Sequence, residues 1–168
     1  VAFVMETVYG YQMPKAMHKE FADVIQKLSE EIGGEVSPEQ IMEKFESEYL
    51  TNKMPYEFVR IKVEDIGEKD SYIHLDYKYN GKDMHVEGEG NGPIDAVKRA
   101  INSHMDLDVC IKDYSEHAMG SGSHAKAAAY IRMRDNRTGK ETYGVGVSSN
   151  ITRASIRSFF SALNRIVK

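Results

Sequence analysis

Gly88-Glu89-Gly90-Asn91-Gly92-Pro93-Ile94-Asp95 is the point at which the chain changes its period. Upstream, Ile73, Leu75, Tyr77 and Tyr79 alternate with His74, Asp76 and Lys78, and Met84 and Val86 continue the alternation. A period of two predicts half-buried strands. Downstream, Ile94, Val97, Ile101 and Met105 recur at helical spacing. Glycine tolerates the backbone angles of a sharp reversal, and proline suits the first helical turn, where its missing N–H has no partner to lose. The stretch therefore reads as a strand-to-helix turn. A helix N-terminus with bare amides also attracts anions. A turn with no ligand would use the same residues.

Between the two alternating runs, Asn80-Gly81 is a two-residue hairpin signal. Before them, Val59, Ile61 and Val63 alternate with Arg60, Lys62 and Glu64. The segment from Tyr56 to about residue 106 thus reads as β-β-β-α. The pattern then returns. Leu107, Val109 and Ile111 alternate with Asp108, Cys110 and Lys112, and a loop is expected from Ser115 to about Ser123. Ala127–Arg134 is a second strand, and Asp135–Gly139 is a turn. Tyr143, Val145 and Val147 mark a third strand. Thr152 is the expected cap of a last helix that buries Ile156, Phe159, Phe160, Leu163 and Ile166. One common offset superposes Tyr72-Ile73 on Tyr130-Ile131 and Gly81-Lys82 on Gly139-Lys140. The same offset brings Gly88 onto Gly146, Ala96 onto Ala154 and Arg99 onto Arg157. We read this as two copies of one unit, about 56–106 and 107–168. A three-stranded sheet with one helix buries its inner face only against its sister unit or a second chain.

The first third of the chain has a different period. Val1–Tyr11 is ambiguous between strand and helix. Pro14 opens a helix with Met17, Phe21, Val24, Ile25, Leu28 and Ile32 on one side, stopped by Gly33-Gly34. Ser37-Pro38-Glu39-Gln40 is a capping-box start, followed by Ile41, Phe45 and Tyr49 on one face. The fold expected is α+β: a helical subdomain (1–54) and a domain of two pseudo-symmetric βββα units (55–168), joined through Thr51–Pro55.

Composition narrows the function. In 168 residues, 41% hydrophobic content supports an ordinary core, and a net charge of −4 disfavours nucleic-acid and membrane-surface roles. A lone Cys110 rules out an internal disulfide, fits a reducing cytoplasm, and is expected as a buried, inert thiol. No apolar run approaches the ~20 residues of a membrane span. A start at Val1 suggests a fragment of a longer protein.

Catalytic signatures are wanting. The glycines lack dinucleotide-fold and P-loop spacing. No two histidines have the close spacing of a sequence-local metal site. His117 and His124 are expected as hydrogen-bonded loop residues. Gly120-Ser121-Gly122-Ser123 lacks the nucleophile elbow. A double-stranded-RNA module would carry lysines where Pro93-Ile94-Asp95 stands. A binding module remains. Ile94, Ile111, Ile151, Ala118 and Ala125 could line a small apolar pocket, with Tyr114 as a wall and Gly90–Gly92 amides for a carboxylate. Such a pocket suits a branched-chain amino acid. The same residues could equally be ordinary core.

Three stretches resemble the C-terminal part of the 2-isopropylmalate synthases. They are Gly88–Ala96, Asp113-Tyr114-Ser115-Glu116-His117-Ala118-Met119 with Ala125–Tyr130, and Tyr143–Val147 with Ser149–Ala154. The helices at Pro14–Phe21 and Ser37–Leu50 resemble the small subdomain that precedes the regulatory domain in that family. The resemblance implies condensation of acetyl-CoA with 2-oxoisovalerate on a divalent-metal-bearing TIM barrel that this chain lacks. It implies no cofactor or metal for the fragment, which should be inactive alone. It further implies a cytoplasmic homodimer that binds L-leucine between its chains, through Gly90, Asn91, Gly92, Ile94, Ile111, Tyr114, Ala118, Ala125 and Ile151. Two features depart from the family pattern. Asp95 puts a charge beside the expected carboxylate, and the stretch His104–Leu107 is one residue longer than the family pattern, which leaves the register of Ile111 open. The related citramalate synthases share the two-unit fold, with isoleucine as the implied effector. A dimerisation platform without effector binding is a further alternative.

Overall fold

The computed structural model describes residues 1–120 and 122–168; Ser121, read above within the Gly120–Ser123 stretch, lies outside the described residues. Residues 1–11 settle as a helix, α1 (Ala2–Thr7), followed by α2 (Lys15–Ile32) and α3 (Pro38–Phe45), which continues into one π-helical turn (Glu46–Leu50). Gly33, with φ 73°, ends α2 in the left-handed conformation. The capping box of α3 forms as expected, with the Ser37 and Gln40 side chains each bonding the other's backbone N–H. These helices bury Met5, Met17, Phe21, Phe45 and Tyr49, and Phe21 meets Phe45 edge-on at 5.3 Å.

The rest is β1 (Tyr56–Asp65), β2 (Ser71–Tyr79), β3 (Lys82–Gly90) and α4 (Pro93–Met105), then β4 (Val109–Met119), β5 (Lys126–Asp135), β6 (Glu141–Ser148) and α5 (Ile151–Ile166). The strands make two antiparallel sheets, β1-β2-β3 and β4-β5-β6, so the two βββα units are as expected. Asn80 and Gly81 both have positive φ (50° and 81°), the angles of a two-residue hairpin turn. One apolar cluster joins the inner face of the first sheet (Ile73, Leu75, Tyr77), α4, α5 and Ile131 and Met133 of the second sheet.

Three local expectations need correction. A bulge between Phe58 and Arg60 turns Val59 out to 38% exposure, so Phe58, Ile61 and Val63 form the core side of β1. β4 runs on to Met119, through most of the expected 115–123 loop. A second bulge between Ile111 and Asp113 inserts Lys112 and inverts the alternation there, which hid the strand. The cap of α5 is Asn150, whose side chain accepts from the Arg153 N–H at 3.0 Å, and Thr152 sits inside the helix.

The units are alike in plan and unlike in burial. The outer face of the first sheet carries charged and polar residues, whereas the second sheet packs Ala128, Tyr130, Tyr143 and Val145 against the helical unit. A sheet covered on both sides loses its alternation, which is why Ala127–Ile131 reads as a continuous apolar run. α5 is buried almost all round. Its small residues Ala154, Ser158 and Ala162 let it lie against Gly144 and Gly146 of β6.

Candidate functional site

The turn between β3 and α4 is built tightly. A Cβ on Gly90 would stand 2.6 Å from the Ala96 nitrogen, and Gly92 has φ +94° at the helix cap. Each glycine thus has a packing or backbone reason of its own. The amides of the turn are already engaged: Asn91 N–H donates to Asp95 Oδ2 at 2.9 Å and Gly92 N–H to the Gly90 carbonyl at 3.1 Å. Asp95 is a resident anion at the start of α4, flanked by Lys98 at 3.0 Å and Arg99 at 2.9 Å. Burial raises its pKa, but the Asn91 bond and the two cations outweigh that and hold the carboxyl below its usual range. An Asp95→Asn chain should lose about 1 kcal/mol at pH 7. Because the folded pKa is depressed, the Asp95 contribution is complete above a pH of about 4 and is lost as pH falls through the folded value. Urea midpoints of the two chains should therefore differ at pH 7 and converge in acid; equal midpoints at pH 7 would refute the assignment.

The second group of candidates lies on β4 and at the start of α5. Strict alternation would put Ile111 and Tyr114 on opposite faces. The Lys112 bulge brings both to the core side, where with Ile94 they fringe the central cluster, half-buried. Across the sheet Ile111 pairs with Met133 of β5. The Tyr114 hydroxyl donates to the Glu116 carboxylate and lies 2.6 Å from the Ser155 hydroxyl, which in turn bonds the Ile151 carbonyl at 2.9 Å. Burial, with the Glu116 bond, pushes the Tyr114 pKa up to about 12. The Ile151 side chain itself is exposed. Ala118 is exposed four strand residues beyond Tyr114, about 13 Å along β4. Half-buried Ala125 lies in the connection between β4 and β5, its N–H donating to the Gly122 carbonyl at 3.2 Å. Within one chain Ile94, Ile111 and Tyr114 all border the same central cluster, and Ser155 links the Ile151 carbonyl to Tyr114. Ala118 and Ala125 lie at the far end of the β4–β5 hairpin.

Other expectations shift with the strand. His117 is a strand residue whose ring stacks on Tyr130 and accepts the Gln12 N–H at 3.1 Å. Cys110 is half-buried and donates to Asn136 Oδ1 at 3.2 Å. Among the described residues no helix is long and apolar enough to cross a membrane.

A cavity of about 460 Å³ opens elsewhere, between the Leu50–Lys53 linker, the start of β1, β6 and α5, and none of the nine candidates lines it. Beside it are the residues that single-sequence reading missed. Asn164 accepts the Tyr56 N–H at 2.8 Å and donates to the Asn52 and Tyr56 carbonyls at 2.6 and 2.7 Å, tying the linker to α5. Arg165 reaches Glu20 at 2.9 Å and Glu48 at 3.2 Å across the same seam. Their polar side chains on a helix carry no signal of burial in the sequence.

A family model described as the LeuA allosteric (dimerisation) domain matches residues 35–167. A 2-isopropylmalate synthase of Clostridium acetobutylicum is 43% identical over 169 residues, covering 98% of this chain and 30% of that protein. The synthases of Corynebacterium glutamicum and Mycobacterium leprae are 38% and 39% identical, again over 98% of this chain and 27% of theirs. The chain thus spans less than a third of the length of the curated relatives it matches.

Proposed function

Because this chain belongs to the LeuA allosteric (dimerisation) domain family, we propose that it is the leucine-sensing regulatory part of a 2-isopropylmalate synthase. In this reading residues 1–54 are a helical subdomain and residues 55–168 the regulatory domain. The domain works as a homodimer in the cytoplasm. The complete enzyme condenses acetyl-CoA with 2-oxoisovalerate on a metal-bearing barrel, and the present chain alone has no activity. L-Leucine binds between two chains through Gly90, Asn91, Gly92, Ile94, Ile111, Tyr114, Ala118, Ala125 and Ile151. The observation that supports the reading is that Ile94, next to the glycine turn, and Ile111 and Tyr114 of β4 all lie on the half-buried margin of one apolar cluster. A second chain would supply what the margin lacks, and a site shared by two chains accommodates the distance from Tyr114 to Ala118.

One observation favours a second reading, a dimerisation platform that has lost its effector response. Asp95 already takes the Asn91 amide, which an amino-acid carboxylate would need. Calorimetry with leucine, isoleucine and valine separates the two. Leucine at ~100-fold above its dissociation constant should add ~2.7 kcal/mol of stability. A dimer that gives no heat with any of the three at millimolar concentration would overturn sensing; a preference for isoleucine would point to the citramalate-type effector. Gly92→Val tests the turn itself. Space is open around the Cβ position, and the strain of φ 94° with ψ 166°, a region essentially reserved for glycine, should cost about 1–3 kcal/mol, so circular dichroism accompanies the binding measurement to verify the fold. Leucine binding is expected to disappear. If it persists unchanged, the glycine stretch serves only to turn the chain.

A further inference from the structure

No close histidine pair occurs in the sequence, yet the fold makes one from two strands. The Asn80-Gly81 turn sets β2 against β3 so that His74 stands opposite Glu87 and Asp76 opposite His85. With Tyr72 these residues occupy the outer face of the first sheet, while Ile73, Leu75 and Tyr77 between them are buried on the inner face. Glu87 Oε2 lies 2.8 Å from His85 Nε2 and 3.3 Å from His74 Nδ1. One ligand atom from each of the three residues falls within 4.8 Å of the others. Ligands bound tetrahedrally at about 2.05 Å from a zinc ion stand about 3.3 Å from one another. Only small side-chain adjustments separate the observed spacing from that geometry.

The far sides of the three groups are furnished as well. His85 Nδ1 lies 2.7 Å from Asp76 Oδ1, and His74 Nε2 lies 3.4 Å from Glu64 Oε2. The other Glu87 oxygen accepts the Tyr72 hydroxyl at 2.8 Å. Arg60 holds the second Asp76 oxygen at 2.7 Å, and Lys62 lies 3.4 Å from Glu64. A carboxylate behind each imidazole is the arrangement that orients metal-bound histidines and raises their basicity. Two imidazoles and one carboxylate suit a borderline divalent ion better than calcium or magnesium, which prefer all-oxygen shells.

We propose that His74, His85 and Glu87 bind one divalent transition-metal ion, of which Zn²⁺ is the best match, with Asp76, Glu64 and Tyr72 as positioning residues. The ion would pin β2 to β3 on the face the helical unit leaves uncovered, with its fourth position open. The test is titration of the metal-stripped chain with Zn²⁺ by calorimetry, and with Co²⁺ by its visible spectrum. One equivalent per chain is expected, with intense tetrahedral cobalt bands. His74→Ala and His85→Ala should abolish it, and Asp76→Asn should weaken it by about 10–100-fold. His124→Ala, at an exposed position outside the cluster, should leave it unchanged. Circular dichroism of these surface variants confirms that each still folds. Absence of binding at sub-millimolar metal, or binding that survives the His74→Ala/His85→Ala double change, overturns the proposal and leaves the cluster as a hydrogen-bonded network alone.

Discussion

Gly146→Ala is expected to destabilise this chain severely for the addition of a single methyl. A Cβ at Gly146 would stand 2.1 Å from the Ala154 carbonyl oxygen and 2.5 Å from the Ser158 nitrogen, both in the backbone of α5. Gly144 faces the same helix, at 2.1 Å from the Ala162 nitrogen. No rotamer change relieves a clash with backbone, so α5 must lift from its sheet. That helix belongs to the core both units share, so lifting it disturbs both. The loss should reach or exceed the upper end of overpacking costs, about 3 kcal/mol, and lower the melting temperature by roughly 6–12 °C. Gly88 is the internal control, because its Cβ would come no closer than 3.2 Å to the Ala100 methyl and 3.8 Å to the backbone of α4. Gly88→Ala should cost under about 1 kcal/mol. Urea unfolding of the two variants decides the matter; if both fall within 1 kcal/mol of the parent, the close approach of α5 is not what requires glycine.

Arg165→Met should have the next largest effect, and it bears on signalling. One guanidinium nitrogen of Arg165 bonds Glu20, Thr142 and the Tyr143 carbonyl, the other bonds Glu48, and the group lies 4.4 Å from the centre of the Tyr49 ring. Glu20 also accepts from the Tyr143 N–H at 3.0 Å and the Tyr49 hydroxyl at 2.7 Å. The network therefore joins α2 and the π-helical turn to β6 and α5. Methionine fills a similar volume but strands two carboxylates. Breaking a buried pair costs about 3–5 kcal/mol, and partial exposure of Glu20 and Glu48 (22% and 23%) reduces this to about 2–3. Arg165→Lys should recover little, because an ammonium cannot serve separated acceptors as a planar fork does. Proteolysis within Thr51–Pro55 should quicken in the methionine variant as the helical unit loosens. A variant that matches the parent in both unfolding and proteolysis would show that apolar contacts alone hold the seam. Any ligand signal leaving the regulatory units for the helical unit must change this seam between two states; the network is where such a change would be measured.

Much of the architecture was legible in residue order. The hairpin at Asn80-Gly81, the capping box at Ser37, the Gly33 stop and the repeat of Tyr72-Ile73 in Tyr130-Ile131 are local or self-similar signals. Backbone conformation at such positions is decided by the residues themselves. They were enough to specify two βββα units behind a helical lead, and the motifs were enough to point to the family. What residue order could not supply depended on contacts between distant segments. The bulges at Val59 and Lys112 are set by pairing across strands, so the facing of Ile111 and Tyr114 was decided only in the folded sheet. The purpose of the glycine turn changed for the same reason: Gly90 is demanded by the approach of α4, and Asp95 fills the amide that looked bare. Arg165 became structural only because the helical unit folds back over the second sheet, and Asn164 only because the linker and the start of β1 pass beside α5. His74 and His85 met only because the register carried them to one face. Periodicity and turn chemistry are short-range properties and can be read along a chain, whereas burial, register and charge pairing belong to segments that find each other in space.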